Sequence, residues 1–405
     1  MSYRTDKWWV SHYNFEPEVR KRYEFPEKVV LHDTTLRDGE QQPGVVFRME
    51  EKVEIAQKMD EVGVHRIEAG MPAVSDEDFQ AIKKIAHLGL HAEVFCLART
   101  RKQDVDLALS CGVDGIILEL PSSETLLKEA FGWDEEKVLN MIVESATYAK
   151  EHGLHVVFFP FDTTKASWEW EKKVMEAGVK EGHVDSVTIV DTFGVALPDA
   201  MYYFVKKVRE TINVPVEVHP HNDLGMATAV AMAGVAAGAS AVHTCVNGMG
   251  ERCGNTPLEE IAVDLLVLYG IDTGIKYEKL YELSKLVEKY SGIPIEPRKP
   301  LVGANPFRWE SGIAVQFLER LKSKGLVTAA TAVDPSFLGR EFEVVLGKKS
   351  GKHSIASKLK ELGLTATPEQ LVEILGKVKD LSIKNKRLIT DDEFKDILRS
   401  VGLKV

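Results

Sequence analysis

The chain has 405 residues, of which 44% are hydrophobic, and a formal net charge of −11. That length exceeds one small core and suits a large α/β domain with a smaller one beside it, and the acidic balance argues against a nucleic-acid-binding surface without excluding a local basic pocket for an anionic ligand. The first 25 residues lack the apolar core of a signal peptide, the four cysteines (Cys96, Cys111, Cys245, Cys253) form no CxxC pair, and the long uncharged run within 224–253 reads as a buried helix followed by a strand and not a membrane span, so a reduced, cytoplasmic protein is expected.

In chain order, short β-rich runs recur: KVVLHD (28–33), VHRIEAG (64–70), AEVFCLA (92–98), DGIILEL (114–120), LHVVFFP (154–160), VDSVTIVD (184–191), PVEVHPH (215–221) and SAVHTCVNG (240–248). Stretches with apolar residues at helical spacing, such as MEEKVEIAQKMDEVG, lie between them. Eight strand–helix units of this size predict a closed (β/α)8 TIM barrel. An open doubly wound sheet would need a Gly-rich phosphate turn after its first strand, and DTTLRDGEQQPG is not one. Past about residue 275 amphipathic helices follow one another, with Thr367 and Thr390 as expected N-caps. The expected division is an N-terminal extension (1–28), a barrel (29–275) and a helical C-terminal region (276–405).

Barrel enzymes place their chemistry at the C-terminal ends of the strands. Those ends here carry Asp33, Arg37, Asp38 and Gln41; Glu68; Arg99; Asp162 and Lys165; Asp191 and Thr192; His219, His221 and Asp223; and Asn247 before GMGERCGN. His219 and His221 are two apart, so in a strand they project to one side. Solvated histidines at a strand end are the plainer reading. With Asp38 as a carboxylate partner across the mouth, a divalent ion such as Zn2+, Mn2+ or Mg2+ is the sharper one.

The segments LHDTTLRDGEQQPGV, IEAGMPAVSDEDF, CLARTRKQDVDLA, VDTFGVALP, HPHNDLGMATA and NGMGERCGNTPLEE, in this order, resemble the isopropylmalate, homocitrate and citramalate synthase family, part of a wider group of barrel metalloenzymes that includes hydroxymethylglutaryl-CoA lyase. The resemblance runs over roughly 29–265. It implies Asp38, His219 and His221 as metal ligands with Asn255 completing or approaching the shell, Arg37 polarising the ketone of a 2-oxo acid, Thr192 gripping its carboxylate, and Gln41 with Glu40 lining the same mouth. It implies a Claisen-type condensation of an acyl-CoA, acetyl-CoA first, with a 2-oxo acid. It also implies a homodimer. Because the chain ends at Val405, feedback through an appended regulatory domain is not expected.

The sequence departs from the family twice. Where the synthases have a glutamate after the fifth strand, this chain has Phe161, followed by Asp162. Where they read HESGIHQD, this chain reads RWESGIAVQF, with Trp309 and Ala314 in place of the histidines. A general base needs a titratable group within reach, so Asp162, Lys165, His243, Glu310 and His353 are the replacements to weigh, Glu310 first. Two other readings stay open. One is a lyase cleaving a 3-hydroxy acid or hydroxyacyl-CoA, with Cys253 in a glycine-rich loop. The other is a metal-binding homologue without turnover. The basic turn LGKKSGKHS (346–354) resembles the synthase linker segment and has the wrong spacing for a phosphate loop.

Overall fold

The computed structural model describes residues 2–405, which fall into two compact units, His12–Ile295 and residues 2–11 with Glu296–Val405. In the first, all eight runs are strands: β1 Val30–Asp33, β2 Arg66–Glu68, β3 Glu93–Arg99, β4 Gly115–Pro121, β5 His155–Phe161, β6 Ser186–Asp191, β7 Val216–Pro220 and β8 Ala241–Thr244. They pair in parallel in sequence order, and β8 returns to β1 with His243 opposite His32, closing the barrel. The strands are buried on both faces, all six residues of β6 among them, as helix-covered parallel sheets require. The helices between them have local start signals: Ser75 and Asp134 accept the N3 amides of Asp76–Ala86 and Glu135–Glu151. The helix Leu280–Ser291 packs in this same unit, against Met49–Val62. The boundary between the two units therefore falls after Ile295.

The barrel interior is divided. Phe95, Leu97, Ile117, Val157, Phe159 and Val190 form an apolar cluster, with Met71 and Phe161 against it. The β6–β1 side is polar. Glu217 accepts from Arg66 (2.9 Å) and Ser186 (2.8 Å) and pairs with His243 Nε2 (2.8 Å), and His32 stacks on His243 at 4.5 Å and 17°. Burial holds His32 neutral, its pKa well below the ordinary histidine value, and neighbouring His243 adds to the effect.

The second unit is mainly helical, with a parallel pair of short strands, β9 Arg308–Trp309 and β10 Glu343–Val344. Leu346, Ile355, Leu359, Ile374, Val378 and Phe394 contribute to its core. Thr367 and Thr390 close capping boxes with Gln370 and Glu393. No helix among the described residues is long and apolar enough to cross a membrane.

Candidate active site

The turn after β1 runs straight into the short helical turn Gly39–Gln41, and this brings Arg37, Asp38 and Gln41 to the barrel mouth. Asp38 Oδ2 lies 3.8 Å from His219 Nε2 and 3.9 Å from His221 Nε2, and the two imidazole nitrogens are 3.2 Å apart. All three side chains are buried. Bond lengths of about 2.0–2.2 Å to N and O ligands put neighbouring ligand atoms roughly 2.9–3.6 Å apart around one divalent ion; the histidine pair stands at that separation and the carboxylate just outside it. His221 Nδ1 pairs with the Gly254 carbonyl (3.1 Å), the kind of outer contact that orients a ligating imidazole. Burial, then His221 beside it, lowers the His219 pKa well below the ordinary value, which keeps a nitrogen lone pair available.

Asn255 joins this group through the loop after β8. His221 and Asn255 form an isolated antiparallel bridge, and Asn255 Nδ2 donates to Asp38 Oδ2 (2.7 Å). Its Oδ1 is buried with no hydrogen-bond partner, an oxygen left over beside two imidazoles and a carboxylate. The donor set therefore fits a divalent cation. The glycines of GMGERCGN make the close approach possible: a Cβ on Gly250 would stand 2.9 Å from Asp38 Oδ2, and one on Gly254 (φ +77°) 1.8 Å from the Gly248 carbonyl oxygen.

Arg37 is locked in place. Its Nε and one terminal nitrogen donate to the two oxygens of buried Glu68 (2.7 and 3.2 Å), and Nη1 donates to Gln41 Oε1 (3.0 Å) and lies 3.8 Å from Asp38 Oδ1. Burial opposes its charge, but Glu68 and then Asp38 outweigh it, so the guanidinium pKa is raised. Gln41, with its oxygen engaged, keeps its amide N–H groups for a ligand. Glu40 is occupied elsewhere: it accepts from the Phe47 amide (2.8 Å) and pairs with buried Lys52 (2.6 Å), which also holds Asp78 (2.6 Å).

Thr192 accepts the Asp162 amide at 2.7 Å, leaving its hydroxyl hydrogen to donate. Asp162 itself takes a left-handed conformation (φ 66°), unusual for a non-glycine residue and frequent at functional sites. Its Oδ2 accepts from Ser123 (2.6 Å), its Oδ1 is buried without a hydrogen bond, and burial raises its pKa. Lys165 is 3.9 Å away with its ammonium over the Phe193 ring. Other mouth candidates are turned to structure: Asn247 hydrogen-bonds Ser284, and His243 lies fully inside the barrel against Glu217. Glu310 belongs to the second unit, where its Oε1 accepts the Lys349 amide (2.8 Å), and His353 is exposed on Lys352–Glu361.

One residue at the mouth escaped sequence reading. Glu119 on β4 points inward two residues after Ile117 of the apolar cluster, and Arg37, Glu68, Asp38 and Glu251 are close enough to act on its charge. Shielding from water pushes its pKa up to about 7, against the pull of Arg37. The available signal was one acid at an inward position of the apolar run GIILELP.

Two family models match the chain, HMGL-like over residues 28–287 and Homocitrate synthase post-HMGL domain-like over 301–386. The chain is similar to "Homocitrate synthase AksA" of Methanopyrus kandleri, with 44% identity over 95% of each chain. It is also similar to "2-isopropylmalate synthase" of Methanocaldococcus jannaschii, with 40% identity over 96% of this chain and 75% of that protein. Among solved structures, hydroxymethylglutaryl-CoA lyase from Pseudomonas aeruginosa matches with a TM-score of 0.59 at 20% identity, covering 67% of this chain and 95% of that one. At that identity the likeness carries the barrel fold alone.

Proposed function

The chain belongs to the HMGL-like family, and on that premise we propose that it is an acyltransferase condensing acetyl-CoA with a 2-oxo acid, in which the acyl group becomes an alkyl group on transfer. The relatives named homocitrate and isopropylmalate synthase, and the post-HMGL family match over residues 301–386, support synthesis over cleavage. The observation that carries the reading is the convergence of Asp38, His219 and His221 beside an arginine already fixed by Glu68.

A divalent ion (Mg2+, Mn2+ or Zn2+) bound by Asp38, His219 and His221, with Asn255 at its edge, would supply Lewis-acid polarisation of the ketone. Arg37 adds fixed positive charge where the ketone oxygen becomes an alkoxide, and Glu68 prevents it from relaxing away. Gln41 and Thr192 offer N–H and O–H donors that orient the 2-oxo acid. A carboxylate removes a methyl proton of acetyl-CoA, the resulting carbanion attacks the ketone carbon, the alkoxide so formed takes up a proton in place of the one removed, and water then cleaves the thioester to give a 2-hydroxy dicarboxylic or tricarboxylic acid and free CoA. Asp162, at the end of β5, is the carboxylate offered for the proton. Asp162→Asn should remove turnover and leave binding of the 2-oxo acid intact. The reading includes a cytoplasmic homodimer.

The test is free-thiol release from acetyl-CoA with Mg2+, Mn2+ or Zn2+ and each of pyruvate, 2-oxoisovalerate, oxaloacetate, 2-oxoglutarate and glyoxylate, with bound metal measured in parallel. Release that requires one acid and disappears in His219→Ala supports the condensation. Metal bound without thiol release from any acid overturns it.

A further inference from the structure

The two histidines beside Asp38 are held in different ways. His221 Nδ1 pairs with the Gly254 carbonyl (3.1 Å), so a hydrogen bond sets the angle of its ring. His219 turns Nε2 toward His221 and Asp38, and its Nδ1 is buried with no hydrogen-bond partner among the described residues. A ligating imidazole ordinarily donates its second N–H to a carboxylate, a carbonyl or water, and that bond fixes its tilt. At His219 the restraint comes from another kind of contact.

That contact is aromatic. Phe159 on β5 meets His219 at right angles, with ring centroids 5.0 Å apart and planes at 76°. His243 also meets His219, at 5.3 Å and 89°, and Phe159 stacks on His243 at 5.8 Å and 24°, so the three rings brace one another. Phe159 is buried in the apolar cluster with Phe95, Leu97, Ile117, Val157 and Val190, which leaves it little freedom to turn. Its ring lies 5.9 Å from the Arg37 guanidinium carbon, within reach of a cation–π attraction. A ring has a positive edge and a negative face, so a perpendicular pair prefers one angle. An aliphatic side chain filling the same space has no such preference.

We infer that Phe159 is a positioning residue of the metal site: it holds the His219 imidazole at the angle that presents Nε2 to the ion, the task that the Gly254 carbonyl performs for His221. The same ring reaches Arg37, so the ligand and the guanidinium share one support. This rests on the metal reading of Asp38, His219 and His221, and not on which acid or acyl donor the chain uses.

Phe95 supplies the comparison. It belongs to the same buried cluster, but its ring partners are His32 and His155 and its cation is Arg66. The full-length wild type, Phe159→Leu and Phe95→Leu are titrated with Mn2+ by calorimetry and with Co2+ by visible absorption, and urea unfolding is followed on each. Both variants remove one core ring and should lose stability alike. Phe159→Leu should bind Mn2+ about three- to tenfold more weakly, the range of one lost perpendicular pair, and should alter the Co2+ absorption, which reports ligand geometry. Phe95→Leu should stay within about twofold of wild type with the Co2+ spectrum unchanged. Wild-type affinity and spectrum in Phe159→Leu overturn the inference, as does an equal loss in Phe95→Leu, which would trace to packing of the core and not to the ring contact. Phe159→Met, ringless but flexible enough to fill the gap, gives the same comparison should the leucine variant not fold. A wild type that takes up neither ion overturns the metal reading and this inference with it. Thiol release is not used, so failure of the condensation reading leaves these outcomes unaffected.

Discussion

Glu68→Gln isolates the grip on Arg37. Glu68 is fully buried and the Arg37 side chain is 6% exposed, so the pair is shielded from water. The amide keeps one acceptor and loses the other, along with the negative charge that holds the guanidinium. Removing one partner of a buried pair costs about 3–5 kcal/mol; one hydrogen bond to a charged group, which the amide retains, returns about 1.5–3, leaving roughly 1–3 kcal/mol of lost barrel stability. With Glu68 neutral, Asp38 becomes the strongest anion beside Arg37, and the guanidinium is drawn toward it and away from the ketone oxygen. Losing one preorganised donor costs about 10²–10³ in kcat, and partial displacement should cost about 10–100-fold. The assay is thiol release at saturating substrate, with urea unfolding and bound Mn2+ measured on the same preparation. Metal affinity should fall as well, because an Arg37 drawn onto Asp38 competes with the ion for that carboxylate, so kcat is compared at saturating Mn2+. A kcat within twofold of wild type at full metal occupancy would refute the assignment of Glu68 as the residue that positions Arg37.

Other perturbations read other parts of the molecule. His219→Ala should abolish tight binding of one Mn2+ per chain in calorimetry, with thiol release lost in step; retained stoichiometric binding would remove His219 from the metal site. Gly254→Ala meets both a left-handed φ and a 1.8 Å contact with the Gly248 carbonyl, so it should destabilise the loop by about 2 kcal/mol or more and weaken metal binding through Asn255, whereas Gly153→Ala, also left-handed but with open space around it, should leave metal binding unchanged. Acid sensitivity should trace partly to His32. It is neutral in the fold and takes a proton in the unfolded chain below 6.5, so its contribution is fully present above that pH and is lost as the pH falls below it. Urea midpoints of metal-free His32→Phe should therefore fall less steeply than wild type between pH 6.5 and 5, and parallel slopes would contradict this.

The sequence was most legible where the physics is local. Each barrel strand is a short apolar run closed by turn residues, and the wall it joins follows from parallel topology. Strand alternation sets His219 and His221 on one side at the end of β7, and the turn after β1 gathers Arg37, Asp38 and Gln41, but the roles expected of all five come from the family resemblance and not from spacing. What escaped reading depends on contacts between distant residues. Glu119 is a single acid whose inward direction depends on the register of β4. Asn247 sits at the expected end of β8, but the helix Leu280–Ser291 captures its side chain, and no local pattern announces that partner. Glu40 follows Asp38 by two residues and belongs to Lys52, a helix residue whose burial needs the packed structure. The left-handed backbone of Asp162 has no composition signal, since aspartate occurs in many turns.

The pairing of the rim cations also bears on the order in which the site is assembled. Arg37, Arg99, Arg252 and Lys165 are each balanced by a carboxylate, while Asp38, Glu119 and Glu251 add acidity around the same opening. Under the proposed function, a mouth with that balance favours a divalent cation over a free organic acid, and the acid would be expected to bind more weakly while the cation is absent.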